Sequence, residues 1–124
     1  MRIIINNSSM VPIYEQLVDQ IKNMIVSKEL VENDGLPSVR ALAKELKISA
    51  LTVKKAYDIL EEEGFTVTVH GKGTYVAMTN TERMMEEYRK EIEKELEQTV
   101  NKGQRYGLEK AEVRELFEMI MEEW

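Results

Sequence analysis

Between Ser38 and Val76 the spacing of apolar residues changes abruptly, and this constrains the fold more than any other feature of the chain. Val39, Leu42, Ala43 and Leu46 fall three to four apart, as do Val53, Ala56, Tyr57 and Leu60. That is the period of a buried stripe on a helix. Phe65, Val67 and Val69 then alternate with Thr66 and Thr68, the period of a half-buried strand, with the three apolar residues facing inward. Ser38 and Ser49 each stand where a helix N-cap is expected, and Gly64 sits where a left-handed residue ends a helix. Two short helices joined by about three residues have the spacing of a helix-turn-helix. His70-Gly71-Lys72-Gly73 supplies a turn, and Thr74–Ala77 supplies a returning strand. A glycine-tipped hairpin after such a pair makes a winged helix.

The flanking segments are simpler. Ile3–Ile5 predicts a short strand, and Pro12 suits the first turn of a helix because its missing N–H is not needed there. Ile13, Leu17, Ile21 and Ile25, with Met24 alongside, form one apolar stripe that fades near Ser27–Leu30. Glu32-Asn33-Asp34-Gly35 is a turn cluster, and Pro37 holds Leu36 extended. Beyond Ala77, Thr79-Asn80-Thr81 forms a capping cluster ahead of Glu82. Met85, Tyr88, Ile92 and Leu96 predict a helix to about Val100, stopped by Asn101-Lys102-Gly103. After Gly107, Val113, Leu116, Phe117, Ile120 and Trp124 line one face of a last helix. The expected fold is mainly α with a small β-hairpin wing. A winged helix-turn-helix over residues 1–77 precedes a two-helix region over 78–124.

Composition removes several classes of function. The chain of 124 residues has no cysteine and one histidine, so disulfide frameworks, thiolate metal sites and any evident catalytic set are excluded. No metal or cofactor is implied, and an enzyme is not expected. The apolar run Ile3–Ile5 is too short for a signal peptide, and no stretch approaches the ~18 residues of a membrane span. A cytoplasmic address without membrane attachment is expected. The net charge of -6 looks unsuited to nucleic acid, but its distribution matters more. Residues 1–77 are near neutral, with nine basic against ten acidic side chains, whereas 78–124 carry eight against thirteen. Within 38–55, Arg40, Lys44, Lys47, Lys54 and Lys55 face only Glu45. Screening confines each charge to ~8–10 Å, so this local patch can still find phosphates.

In a helix-turn-helix the second helix enters the major groove, and its N-terminal residues reach base edges. With Val53, Ala56, Tyr57 and Leu60 inward, Ala50, Leu51, Thr52, Lys54, Lys55 and Asp58 are left outward or flanking. Thr52 suits a base or phosphate hydrogen bond, and Lys54 and Lys55 suit phosphates or guanine acceptors. Ala50 and Leu51 offer only apolar contact. Arg40, in the first turn of the preceding helix, suits a bidentate phosphate or guanine contact. Ser38 and Ser49 lie beside these groups. At the wing, Gly71 and Gly73 permit close backbone approach, Lys72 adds charge and His70 adds a donor. Double-stranded operator DNA is therefore the expected partner. The plainer reading makes these cations a solvated face and His70 structural.

Leu36-Pro37-Ser38-Val39-Arg40 with Leu42-Ala43 resembles the GntR family signature. So do Thr52-Val53 with Ala56-Tyr57 and Leu60, Glu63-Gly64-Phe65, and Gly71-Lys72-Gly73-Thr74-Tyr75-Val76. Pro12-Ile13-Tyr14-Glu15-Gln16-Leu17 resembles the family's opening helix. The resemblance runs in order over about residues 9–77, and the short remainder points to the YtrA subfamily. It implies a dimeric repressor, often of operons encoding ABC transporters. It also implies DNA contacts at Arg40, Thr52, Lys54, His70, Gly71 and Lys72. Two places depart from the pattern. Ala50 and Leu51 stand where many relatives carry arginine, proline, asparagine or threonine, so the operator sequence does not carry over. Thr66–Val69 lacks a basic residue often found there.

The last 47 residues are too few to enclose a ligand pocket. The stripe of Met85, Tyr88, Ile92 and Leu96 has little of its own chain to cover it, and each large side chain is worth roughly 1.5–3 kcal/mol when buried. Homodimerisation through these residues, with Leu116, Phe117, Ile120 and Trp124, is the expected outcome. The alternative packs the stripe against the winged helix. Tyr106 and the methionine-rich faces leave room for an unidentified small-molecule effector between subunits. A competing reading is a protein-interaction module that has lost specific DNA binding, supported by Ala50, Leu51 and the acidic balance.

Overall fold

The computed structural model describes residues 1–78 and 81–124, so the expected capping cluster, which begins at Thr79-Asn80, lies outside them. The first helix, α1 (Ile13–Val26), buries Leu17, Val18, Ile21 and Ile25. Pro12 stands one position before it as the N-cap, and its carbonyl accepts the Gln16 N–H at 3.1 Å. The expected strand at Ile3–Ile5 is absent. In its place two glutamines of α1 satisfy the backbone of that segment. Gln20 accepts from Ile4 N–H at 2.9 Å and donates to the Ile4 carbonyl at 2.7 Å. Gln16 does the same for Asn6 and also donates to the Val11 carbonyl. A strand needs a neighbouring strand, and side-chain amides have taken that role here.

The two following helices are α2 (Val39–Leu46) and α3 (Ala50–Glu62). Each has the serine cap expected of it. Ser38 Oγ accepts the Ala41 N–H and Ser49 Oγ accepts the Thr52 N–H, both at 3.1 Å. Such a cap is worth about 1 kcal/mol. Between them Lys47 takes a left-handed conformation, φ 57°, and the Ile48 N–H returns to the Ala43 carbonyl at 3.0 Å. Three residues thus reverse the chain. Gly64, φ 83°, ends α3 and turns it into the wing.

The wing is an antiparallel pair, β1 (Thr66–Val69) and β2 (Gly73–Val76), registered from Thr66 opposite Val76 to Val69 opposite Gly73. Here the sequence expectation fails in part. Phe65 is buried, but Val67 and Val69 are 44% and 39% exposed, and Thr66 is buried instead. Phe65 belongs to the turn that leaves α3, so the strand's inward residue is Thr66. Past that first pair the hairpin projects beyond the body, and no core remains to cover its valines. The other side of β2 is tied to the preceding loop: Leu36 N–H donates to the Thr74 carbonyl and Val76 N–H to the Asp34 carbonyl.

The core of this unit is closed. Leu17, Ile21, Val53, Ala56 and Leu60 are fully shielded from solvent, and Leu42, Phe65 and Val76 nearly so. The Tyr57 hydroxyl donates to the Pro37 carbonyl at 2.7 Å, fixing the start of α2 against α3. Burial pushes the Tyr57 phenol up to about 12.

Two compact units divide near residue 81. The second contains α4 (Thr81–Arg105) and α5 (Lys110–Glu122). The expected stop at Asn101-Lys102-Gly103 is overrun, because Gly107, φ 86°, is the residue that breaks α4. Gly103 remains helical and serves packing: a Cβ there would lie 3.2 Å from Val113 Cγ2. Trp124 lies past the end of α5 and is 98% exposed, so it does not extend that helix's face. Among the described residues of Glu82–Trp124, none is buried.

Candidate nucleic-acid interface

The interface is built outward from α3. Its buried residues, Val53, Ala56, Tyr57 and Leu60, fix the helix against α1 and α2, so the opposite stripe must face solvent. At 100° per residue that stripe holds Leu51, Lys54, Lys55 and Asp58, and all four are exposed. Leu51 stands 80% exposed at the helix start, beside exposed Ala50. Ser38 and Arg40 are exposed at the start of α2. His70, Gly71 and Lys72 are exposed at the tip of the wing. Every candidate named from sequence therefore lies on the surface of one unit, apart from Thr52, which is half-buried.

The hydroxyls of Ser49 and Thr52 lie 2.8 Å apart. Only one proton is used in that bond, so whichever group donates, the other keeps an O–H directed elsewhere. The positive ends of α2 and α3 add to this donor set, since the first N–H groups of a helix lack carbonyl partners. The lysines are less free than sequence suggested. Lys54 Nζ lies 2.8 Å from Asp58 Oδ2, one helical turn along, with both side chains largely exposed. Lys55 Nζ sits 3.9 Å from the centre of the Tyr14 ring on α1. The neighbouring Glu15 carboxylate raises the Tyr14 phenol above its ordinary value and accepts its hydroxyl.

Acidic residues crowd the far end of α3, where the helix dipole disfavours them. Two of them have structural partners. Glu63 pairs with Lys22 of α1 at 2.6 Å, and the Lys22 ammonium also lies 5.2 Å from the centre of the Phe65 ring. Glu61 accepts the Thr68 N–H of β1 at 3.1 Å. These contacts lock α1 and the wing to the helix they flank. Sequence reasoning missed both, and it gave Asp58 no role although its four-residue spacing from Lys54 was visible.

At the wing tip the Lys72 N–H closes a turn on the Val69 carbonyl at 2.9 Å, with Gly71 at φ 78°. A side chain at Gly71 would be strained there. Tyr75 donates from its hydroxyl to the Lys72 carbonyl at 3.3 Å, bracing the tip from within.

Residues 13–76, which hold α1 to β2, match the sequence model of the bacterial regulatory proteins of the gntR family. The chain belongs to the GntR family. It is similar to the HTH-type transcriptional repressor YtrA of Bacillus subtilis, at 34% identity over 94% of this chain and 89% of that one. The crystal structure of a transcriptional regulator from Oenococcus oeni superposes with a TM-score of 0.69 at 32% identity, covering 94% of this chain and 97% of that one. The AraR DNA-binding domain, solved in complex with operator ORX1, superposes with a TM-score of 0.55 at 25% identity, covering 62% and 96%. This GntR chain is therefore a YtrA-like DNA-binding transcriptional regulator rather than an enzyme. Its winged helix spans the GntR match, and no described helix is long and apolar enough to cross a membrane.

Proposed function

We propose that this regulator is a cytoplasmic homodimeric repressor of a transporter-type operon, each protomer directing the N-terminal end of α3 into the major groove of operator DNA. The observation that supports this reading is that Arg40, the outer stripe of α3 and the wing tip are all exposed on one unit whose core is closed. Thr52 and Lys54 serve base edges, with Ala50 and Leu51 against thymine methyls. Ser38, Arg40, Ser49 and Lys55 serve phosphates, and His70, Gly71 and Lys72 serve the adjacent minor groove or backbone. The helical unit supports dimerisation: Met85, Ile92, Leu96, Leu116, Phe117 and Ile120 are 46–72% exposed. Tyr88 joins Met85, Ile92 and Leu96 along an open groove of about 510 Å³. Trp124, 98% exposed, is available to a partner. Such a groove suits the helix of a second copy better than a polar effector.

Gel shifts with the DNA upstream of its own coding sequence test the reading. Specific retention over mixed-sequence duplex is expected, with Arg40→Ala and Lys54→Ala each weakening it about tenfold, the first by flattening its salt dependence and the second by relaxing its sequence preference. No preference over mixed-sequence duplex contradicts it. That result favours the second reading, a winged-helix protein-interaction module, for which the exposed Leu51 at the tip of α3 speaks.

A further inference from the structure

We propose that Asp58 is a specificity-determining residue, holding Lys54 so that the lysine reads bases instead of attracting phosphates of any sequence. The inference rests on the reading that the outer stripe of α3 meets DNA. Asp58 lies on that stripe, one turn beyond Lys54, and its carboxylate is 2.8 Å from the Lys54 ammonium. Both side chains are about 60% exposed, so neither is needed to close the core. The other lysine of the stripe, Lys55, is drawn toward the Tyr14 ring. In the free protein both α3 ammonium groups are thus held against the protein's own surface.

The physical consequence differs between phosphates and bases. Neutralising a phosphate takes a cation that is free to approach it, and the Lys54 ammonium already has its counter-charge in Asp58. A base edge is read by directional donors instead. An ammonium has three N–H groups; with one directed to Asp58, two remain for acceptors such as guanine O6 and N7. Asp58 therefore lowers affinity for indiscriminate duplex while leaving base reading intact, and it fixes the direction from which Lys54 approaches.

The test uses the full chain and a fluorescein-labelled mixed-sequence duplex of about 30 base pairs, read by anisotropy across salt. Asp58→Asn should bind this duplex about tenfold tighter at about 50 mM salt, with the log–log salt slope steeper by about 0.9. Its preference for a site selected by the wild-type chain from a random pool should shrink by a similar factor. In a Lys54→Gln background, Asp58→Asn should change binding by less than about twofold. Circular dichroism melts of all variants should coincide.

Three results overturn the proposal. The first is an unchanged affinity of Asp58→Asn for mixed duplex. The second is a gain that persists in full without Lys54, which makes Asp58 a through-space repulsion only. The third is weaker binding with discrimination lost at one base pair, which makes Asp58 a direct reader of cytosine N4. If Arg40→Ala also leaves mixed-duplex binding unchanged and Lys54→Gln leaves binding to the selected site unchanged, the placement of α3 on DNA falls with it. If they weaken binding and Asp58→Asn alone is silent, only this inference falls.

Discussion

The winged-helix unit and the helical unit use similar apolar residues to opposite ends. In the first, Leu17, Ile21, Val53 and Leu60 are fully shielded, and three helices and a hairpin suffice to do it. In the second, Ile92, Leu116 and Ile120 are at least half exposed. Two helices joined by a short turn have one apolar stripe each and too little surface to cover both. At about 25 cal/mol per Å² such stripes are a substantial uncollected burial energy. The lesson is that one unit completes its own core, whereas the other leaves its apolar stripes open, and in the proposed dimer association completes them. In the proposed dimer, the reading heads keep their shape at any concentration, while their pairing depends on it.

Matched truncations give the largest contrast. Leu60→Ala removes a fully buried side chain and should destabilise the first unit by about 2–5 kcal/mol. Leu96→Ala, 47% exposed in one chain, should leave that unit's urea midpoint unchanged and weaken self-association instead. Denaturation followed by circular dichroism at several protein concentrations separates the two. Equal, concentration-independent losses would erase the distinction between the units.

A smaller effect sharpens it from the side of the closed core. Tyr57→Phe keeps the packing and removes the bond to the Pro37 carbonyl, costing about 1 kcal/mol. The pH dependence carries a sign. The folded phenol titrates at about 12, above its ordinary 10.0, so folding favours the protonated form. The stabilisation is complete below the unfolded value and falls as pH rises from there through the folded one. The wild-type chain should lose stability over that interval more steeply than Tyr57→Phe. Parallel alkaline profiles would mean that the hydroxyl is not buried as described.

Most of the reading head was legible because local and global signals agree there. Ser38 and Ser49 cap the helices their sequence positions predict, and Gly64 ends α3 where a residue at positive φ is required. The errors fall where a residue's role depends on what lies across from it. Val67 and Val69 have strand periodicity, but the wing leaves the core before it can bury them. Ile3–Ile5 has strand composition, but its backbone partners are the Gln16 and Gln20 side chains. Gly103 looks like a stop, but it lies where Val113 needs room. At the interface the identities were legible and the partnerships only partly so. The four-residue step to Asp58 can be read along one helix, whereas Lys55 meets Tyr14 only through the packing of α1 on α3.

The most direct measurement is sedimentation equilibrium of the full chain, without DNA, over micromolar to sub-micromolar concentrations. The account predicts a reversible monomer–dimer equilibrium dominated at the upper end by twice the 14.4 kDa chain mass, shifted toward monomer by Ile92→Glu with no change in the circular dichroism of the first unit. A single species at the chain mass throughout, indifferent to Ile92→Glu, would contradict it.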